Sequence, residues 1–239
     1  RKREKLENVQ NGLIPALFVL SLIMSLIIIQ PDYSTAIMIG LIGMIILFIG
    51  GAKLSQLSLT CSCALLIGIP VLLSREYRRQ RVLSFFGIGN NPDVGYQAHQ
   101  SLISLGNGGL LGTGLGNSIE KNHFLPTPHT DFIFAIIGEE LGFLLGTVPV
   151  ITLFLLIFFQ GIKIAKNCND PFGVFLSVGI VSNFILYAFV NASVVTGLLP
   201  VTGLPMPLVS YGGSGMIVNM SLIGILLNIS QGKRVVGDK

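Results

Sequence analysis

Pro126-Thr127-Pro128-His129-Thr130-Asp131-Phe132-Ile133-Phe134 runs directly into Ala135-Ile136-Ile137-Gly138-Glu139-Glu140-Leu141-Gly142. A carboxylate stands where a polar, glycine-rich segment turns into a long apolar run, and two more lie deeper inside it. Placing an ionised side chain in hydrocarbon costs on the order of 3 kcal/mol even on insertion-based scales, so these acids must face protein, water or a substrate.

The surroundings of that stretch are those of a membrane protein. The chain has 239 residues, of which 51% are hydrophobic, 11% charged and none Trp, and its mean hydropathy is +0.77. A soluble domain rarely combines these values. A spanning helix takes roughly 20 mostly apolar residues. Six stretches qualify: about Gly12 to Ile29, Tyr33 to Ile49, Leu57 to Leu73, Phe132 to Ile162, Phe172 to Leu199 and Leu208 to Ile229. The expected fold is therefore an all-α polytopic membrane protein. Residues 1–73 carry three spans, 74–130 form one large extracytoplasmic loop rich in Gly and Arg, and 131–239 carry three more spans and a short cytoplasmic tail.

Basic residues orient this array. Arg1, Lys2, Arg3 and Lys5 precede the first span, Lys53 lies in the second connection, Lys163 and Lys166 follow the fourth span, and Lys233, Arg234 and Lys239 close the chain. By the positive-inside rule these mark the cytoplasm, and the long connection, despite its own arginines, lies outside. The net charge of +4 suits anionic lipid headgroups, and nothing points to nucleic acid. Cys61, Cys63 and Cys168 read as small apolar fillers, with neither a disulfide nor a metal site. The basic start leads into a full-length span, not a short cleavable signal. With no initiating Met, it reads as a connection between spans, so a C-terminal portion of a longer protein is expected.

Between the spans, Asp32 with Ser34 and Thr35 is placed to cap the second helix after Pro31. Beyond the third span, Arg75, Arg78, Arg79 and Val82 would share one face if the helix continues. Guanidinium forks there suit phosphate oxygens, and snorkelling to ordinary phospholipid explains them equally well. The glycine-rich segment from Asn90 to Ser118 lacks an intact nucleotide-binding pattern and reads as a structured re-entrant or interfacial loop whose backbone approaches a substrate or a helix.

Counting 100° per residue puts Asp131, Ala135, Gly138, Gly142 and Gly146 nearly on one face, with the glycines forming a close-packing ridge. Glu139 falls about 12 Å further along the axis. Asp131 is then aimed at the protein interior; alone, it would read first as an acid complementing a helix dipole, and His129 and Thr130 beside it turn the reading towards chemistry. Asn183 and Asn191 are amides inside an apolar run and need partners. Pro200, Pro205 and Pro207 break the chain before Ser210-Tyr211-Gly212-Gly213-Ser214, a turn able to present amides or hydroxyls to an anion.

These motifs together carry a resemblance. Asn191 followed by Gly197-Leu198-Leu199-Pro200-Val201-Thr202-Gly203-Leu204-Pro205 and Ser210-Tyr211-Gly212-Gly213-Ser214 resembles the SEDS family, the shape, elongation, division and sporulation proteins that comprise FtsW, RodA and SpoVE. Gln30-Pro31-Asp32, Tyr77-Arg78-Arg79-Gln80-Arg81, Gly95-Tyr96-Gln97, His129 to Phe134 and Gly138-Glu139-Glu140 are similar too, in the same order along the whole chain. Phe48 to Leu54 and Ile136 to Gly142 are nearer to the division and sporulation members than to the elongation ones. The chain departs from the pattern at Tyr33-Ser34, Thr127 and Gly215, and in lacking an Asp-Pro beyond Phe85.

The resemblance implies a fold of about ten spans, with this chain supplying the last six. It implies a peptidoglycan glycosyltransferase that polymerises lipid II during bacterial cell division, transferring a lipid-diphosphate-linked glycan strand to the 4-hydroxyl of the incoming N-acetylglucosamine with inversion. Such an attack needs a general base, and Asp131 takes that role. The leaving diphosphate needs positive charge, from Arg78, Arg79, Arg81 and Lys121 or from a divalent cation such as magnesium or manganese. No other cofactor is expected. His129, Ser210, Gly212, Gly213 and Ser214 would shape the substrate cavity. Implied partners are lipid II, the lipid-linked strand, a class B penicillin-binding transpeptidase and other division proteins, at the septum in the bacterial plasma (inner) membrane. Two rival readings are a lipid II flippase, for which Glu139 and Glu140 would line a polar path, and a non-catalytic division scaffold.

Overall fold

The structure is a computed structural model and describes residues 12–88, 92–123 and 129–232. The basic residues of both termini used above for orientation, Arg1, Lys2, Arg3, Lys5, Lys233, Arg234 and Lys239, lie outside the described residues, as does Thr127. The elements are α1 (Ile14–Ile29), α2 (Tyr33–Ile49), α3 (Leu54–Leu73), α4 (Glu76–Phe85), α5 (Pro92–Gly108), α6 (Ile119–His123), α7 (Ile133–Gly142), a π-helical turn (Phe143–Thr147), α8 (Val148–Asn167), α9 (Pro171–Val195) and α10 (Gly213–Gln231). The protein is an all-α polytopic membrane protein, with no strand among the described residues.

Leu54–Leu73, Ile133–Asn167, Pro171–Val195 and Gly213–Gln231 are long and apolar enough to cross a membrane. Helices α1 and α2 are apolar but have 16 and 17 residues, about 24–26 Å at 1.5 Å per residue against a hydrocarbon core of about 30 Å. Asp32 is the N-cap of α2, accepting from the Thr35 amide at 3.1 Å.

The described chain forms two compact units. In the first, residues 12–75, 161–183 and 226–232, Leu13, Leu47, Ala52 and Leu57 make a small core. Gly161 brings α8 against Val181 of α9, where any Cβ would overlap the valine side chain. The second unit, Glu76–Gln160 with Phe184–Ile225, holds the larger core and every residue of the site described below. Phe132, Phe134, Ala135 and Ile136 pack there with Phe154 of α8, Ala188, Val194 and Val195 of α9, and Met206. Apolar side chains gain little by leaving lipid for protein, so this association rests on close packing and buried polar ties. Small residues supply both. Ser101 and Ser104 of α5 are fully buried and donate to the carbonyls of Val195 and Ala135 at 3.0 and 3.2 Å.

The long connection 74–130 has helical structure of its own, with α4, α5 and α6 occupying much of it. Gly108, at the end of α5, is a contact point, since a Cβ there would overlap the backbone of Gly138 and Glu139. Helix α3 does not continue into the arginines. It stops at Leu73 with Ser74 as C-cap, and α4 starts afresh at Glu76, leaving Arg75 outside both.

The fourth predicted span is not one helix either. Gly142 has φ +77°, a conformation open mainly to glycine, and the chain folds back there. The Thr147 hydroxyl lies 3.3 Å from where a Gly138 Cβ would be, although nine residues along a straight helix would separate them by about 13 Å. Gly146 therefore packs on Ile137 and Leu141 and does not extend the ridge of Ala135, Gly138 and Gly142. Breaking a helix orphans amides and carbonyls at both new ends, and the segment 109–114 satisfies them. The Thr113 and Gly114 amides donate to the Glu139 and Glu140 carbonyls at 2.9 and 3.0 Å, while the Phe143 and Leu144 amides donate to the Gly109 and Leu110 carbonyls at 2.9 and 3.1 Å.

Candidate active site around Asp131

Asp131 precedes α7, whose N-cap is Phe132, so it does not sit in the first helical turn. Its position is set by α9 and by the segment that follows it. Three successive carbonyls are each held by a different donor. The Tyr211 amide donates to His129 O at 2.9 Å, the Ser210 hydroxyl to Thr130 O at 2.6 Å, and the Asn191 side-chain amide to Asp131 O at 2.7 Å. Ser210 is itself fixed, accepting from the Met206 amide at 2.7 Å. Asn191 of α9 and the Ser210-Tyr211 turn, itself tied to Met206, thus hold the backbone that carries the acid.

The Asp131 side chain is partly exposed. Gly203, at φ +72°, faces it, and a Cβ there would lie 3.6 Å from Asp131 Oδ2. Burial raises the carboxyl above its ordinary value of 3.8, while a hydrogen bond from the Thr130 side chain and the charge of Arg81 work in the opposite direction. A carboxylate held up by partial burial and still within reach of solvent is suited to taking a proton.

Arg81 is the arginine of α4 that reaches this acid electrostatically. Its Nη1 donates to the Val201 carbonyl at 3.2 Å, its Nη2 donates to the Tyr77 hydroxyl, and the guanidinium lies 4.6 Å from the centre of the Tyr77 ring. A guanidinium has five N–H donors, so this anchored fork keeps capacity for an anion. Arg79 is instead engaged on its own helix, 3.2 Å from Glu76 one turn earlier, with both side chains more than half exposed. Arg78, on the same helix, is half-buried. His129 is exposed, with its backbone joined to Tyr211. Gly212, Gly213 and Ser214 form the exposed N-terminal end of α10.

A second polar cluster surrounds Glu139, which is fully buried. Its Oε2 accepts from the Ser104 and Ser118 hydroxyls at 2.8 and 2.6 Å, and its Oε1 from the Ile119 amide at 3.0 Å. One carboxylate thereby joins α5, α6 and α7. Ser118 also caps α6, accepting from the Lys121 amide at 3.0 Å. The Lys121 ammonium lies 3.5 Å from Glu140, so the structure brings Lys121 to this cluster. Glu120 is buried beside it, and burial first, then the charge of Glu139, raises its carboxyl above the ordinary value.

Of the residues singled out from the sequence, Arg81 acts on the Asp131 carboxyl through its charge and Ser210 holds the carbonyl of Thr130 beside it. Sequence reasoning left Asn191 as an amide in search of partners and gave no role to Ser104 or Ser118. An amide in an apolar helix was the legible signal for Asn191. Ser118 was legible as an N-cap before Ile119-Glu120-Lys121. Among the described residues no three His, Cys, Asp or Glu side chains converge on a metal position.

The family profile of the FtsW, RodA and SpoVE proteins, described as "Cell cycle protein", matches residues 1–235. A probable peptidoglycan glycosyltransferase FtsW of Geobacter sulfurreducens is 39% identical over 231 residues, covering 96% of this chain and 62% of that protein. Stage V sporulation protein E of Bacillus subtilis is 38% identical over 235 residues, covering 98% of this chain and 64% of that one. This chain therefore spans less than two thirds of the length of these relatives. Among solved structures, a chain from work on "structural coordination of polymerization and crosslinking by a peptidoglycan synthase complex" aligns with a TM-score of 0.77 at 24% identity, over 96% of this chain and 66% of that one. That likeness is one of fold.

Proposed function

The chain belongs to the FtsW, RodA and SpoVE family of cell cycle proteins, and from that premise we propose that it carries the active centre of a peptidoglycan glycosyltransferase that polymerises lipid II. The single observation behind this reading is the pairing of Asp131, partly buried and backbone-clamped, with the anchored guanidinium of Arg81. The 4-hydroxyl of the incoming N-acetylglucosamine gives its proton to Asp131 as its oxygen bonds to the anomeric carbon of the lipid-linked strand. The bond from that carbon to the diphosphate breaks on the opposite face, inverting the sugar. Arg81 receives the charge that develops on the leaving diphosphate.

The described residues supply no cage for a divalent cation. Any such ion would come with the diphosphate. The family further supports a class B penicillin-binding transpeptidase and other division proteins as partners, and the septal plasma membrane as location. The flippase reading leaned on Glu139 and Glu140. Both have local work in the fold, one holding three donors and the other facing Lys121, so nothing favours that alternative.

The test is glycan formation from labelled lipid II by the purified full-length protein with its transpeptidase partner. Loss of polymer on Asp131→Ala, with partner binding retained, supports the enzyme. Undiminished polymer from that variant contradicts it.

A further inference from the structure

Asn191 lies on α9 with its side chain 1% exposed. Its Nδ2 donates to Asp131 O at 2.7 Å and to Leu204 O at 2.8 Å, which uses both N–H groups of the carboxamide. Its Oδ1 is buried with no hydrogen-bond partner, an arrangement that costs stability. A leucine would fill the space in α9 without that cost. The gain lies in what the two donated bonds join. On one side is the main chain that carries the Asp131 carboxylate. On the other is Leu204, next to Gly203, the residue facing Asp131 Oδ2.

We infer that Asn191 is a positioning residue which fixes the gap between the Asp131 carboxylate and the 203–204 wall, so that the acid meets the sugar hydroxyl in line for proton transfer. This rests on the reading of Asp131 as the general base. Asp131 O lies before the first carbonyl of the α7 ladder, Phe132 O, which accepts from Ala135 and Ile136. No helical bond orients the 131–132 peptide, and Asn191 does so in its place. Neighbouring Thr130 O and His129 O are held by Ser210 and Tyr211, so releasing Asn191 frees one end of a three-point clamp while leaving the protein a way to fold.

The experiment compares full-length wild type, Asn191→Ala and Asp131→Ala in lipid II polymerisation, with kcat, KM and the pH profile of the rate. For Asn191→Ala the expected result is a 10- to 100-fold lower kcat, the scale on which roughly 1 Å of misplacement acts, with KM changed less than about threefold. The acid limb should also move to lower pH, because a loosened segment lets water reach a carboxyl that burial holds up. A purely structural defect would lower the plateau at every pH and leave the limb in place. If Asn191→Ala does not fold, Asn191→Ser, which keeps one donor, replaces it and is read the same way. Wild-type kcat, or a reduced kcat with an unmoved limb, overturns the positioning role while an inactive Asp131→Ala leaves the enzyme reading intact. Wild-type rates from Asp131→Ala overturn both.

Discussion

The Arg81 guanidinium lowers the pKa of the Asp131 carboxyl against the burial that raises it. This opposition has a measurable consequence. A general base works only when ionised, so polymerisation should fall as pH drops through the raised Asp131 value. Arg81→Gln removes the opposing charge and should move that acid limb to higher pH. It should also lower the plateau on the order of 10²-fold, as loss of one charge-stabilising donor commonly does. A pH–rate profile of Arg81→Gln coincident with that of wild type would remove Arg81 from the site.

Glu139 predicts a stability effect of a different kind. In Glu139→Ala, Ser104 keeps the Ala135 carbonyl as an acceptor, whereas the Ser118 hydroxyl and the Ile119 amide lose theirs. One buried and one partly buried donor at about 1–3 kcal/mol each imply a loss of roughly 2–6 kcal/mol. Thermal unfolding in detergent should show a markedly lower midpoint. Glu139→Gln keeps an acceptor and should lose less.

Glu120 should make stability depend on pH. Burial and the charge of Glu139 hold its folded-state carboxyl above the ordinary 4.5, so the fold keeps a proton that the unfolded chain releases. Stability contributed by this group therefore falls as pH rises from the ordinary value through the raised one, and returns on acidification. Glu120→Gln should flatten that dependence and raise the unfolding midpoint at neutral pH. An unchanged slope would mean that Glu120 does not titrate in the fold.

The turn at Gly142 separates glycines that the fold requires from those it does not. A Cβ at Gly142 would overlap Gly112, and one at Gly112 would overlap Glu140, with both residues at positive φ. Gly142→Ala and Gly112→Ala should each lower the yield of folded protein sharply. Gly106, in α5, meets nothing within 4 Å, so Gly106→Ala should be neutral or stabilising by about 0.5–1 kcal/mol. Size-exclusion profiles of the three variants decide it.

Much of what surrounds Asp131 was legible in the sequence. An acid at the edge of an apolar run, an arginine cluster and a proline-broken serine turn each announced themselves by being costly or unusual where they stood. The fold was less so, for reasons that lie in the glycines. Gly108 and Gly112 look like loop residues because composition cannot distinguish a glycine that bends from one that lets two backbones touch. Gly142 looked like part of a continuous ridge, because hydropathy runs on unbroken from Ile133 to Asn167 and only its positive φ ends the helix. The restart at Glu76 was hidden likewise, since nothing in Ser74-Arg75 is a strong helix breaker. Asn191 could be flagged as needing partners, yet the identity of those partners depends on Leu204 and Asp131, thirteen and sixty residues away in sequence.

The most direct measurement is the initial rate of lipid II polymerisation by full-length Asp131→Asn, at saturating substrate and at the pH optimum of the wild type. The neutral carboxamide keeps the shape and removes the base. The rate should fall by roughly 10²–10⁴-fold, the range set by general-base assistance, while binding of the lipid-linked substrate is kept. A rate within twofold of wild type would show that the proton goes elsewhere and that Asp131 is not the base.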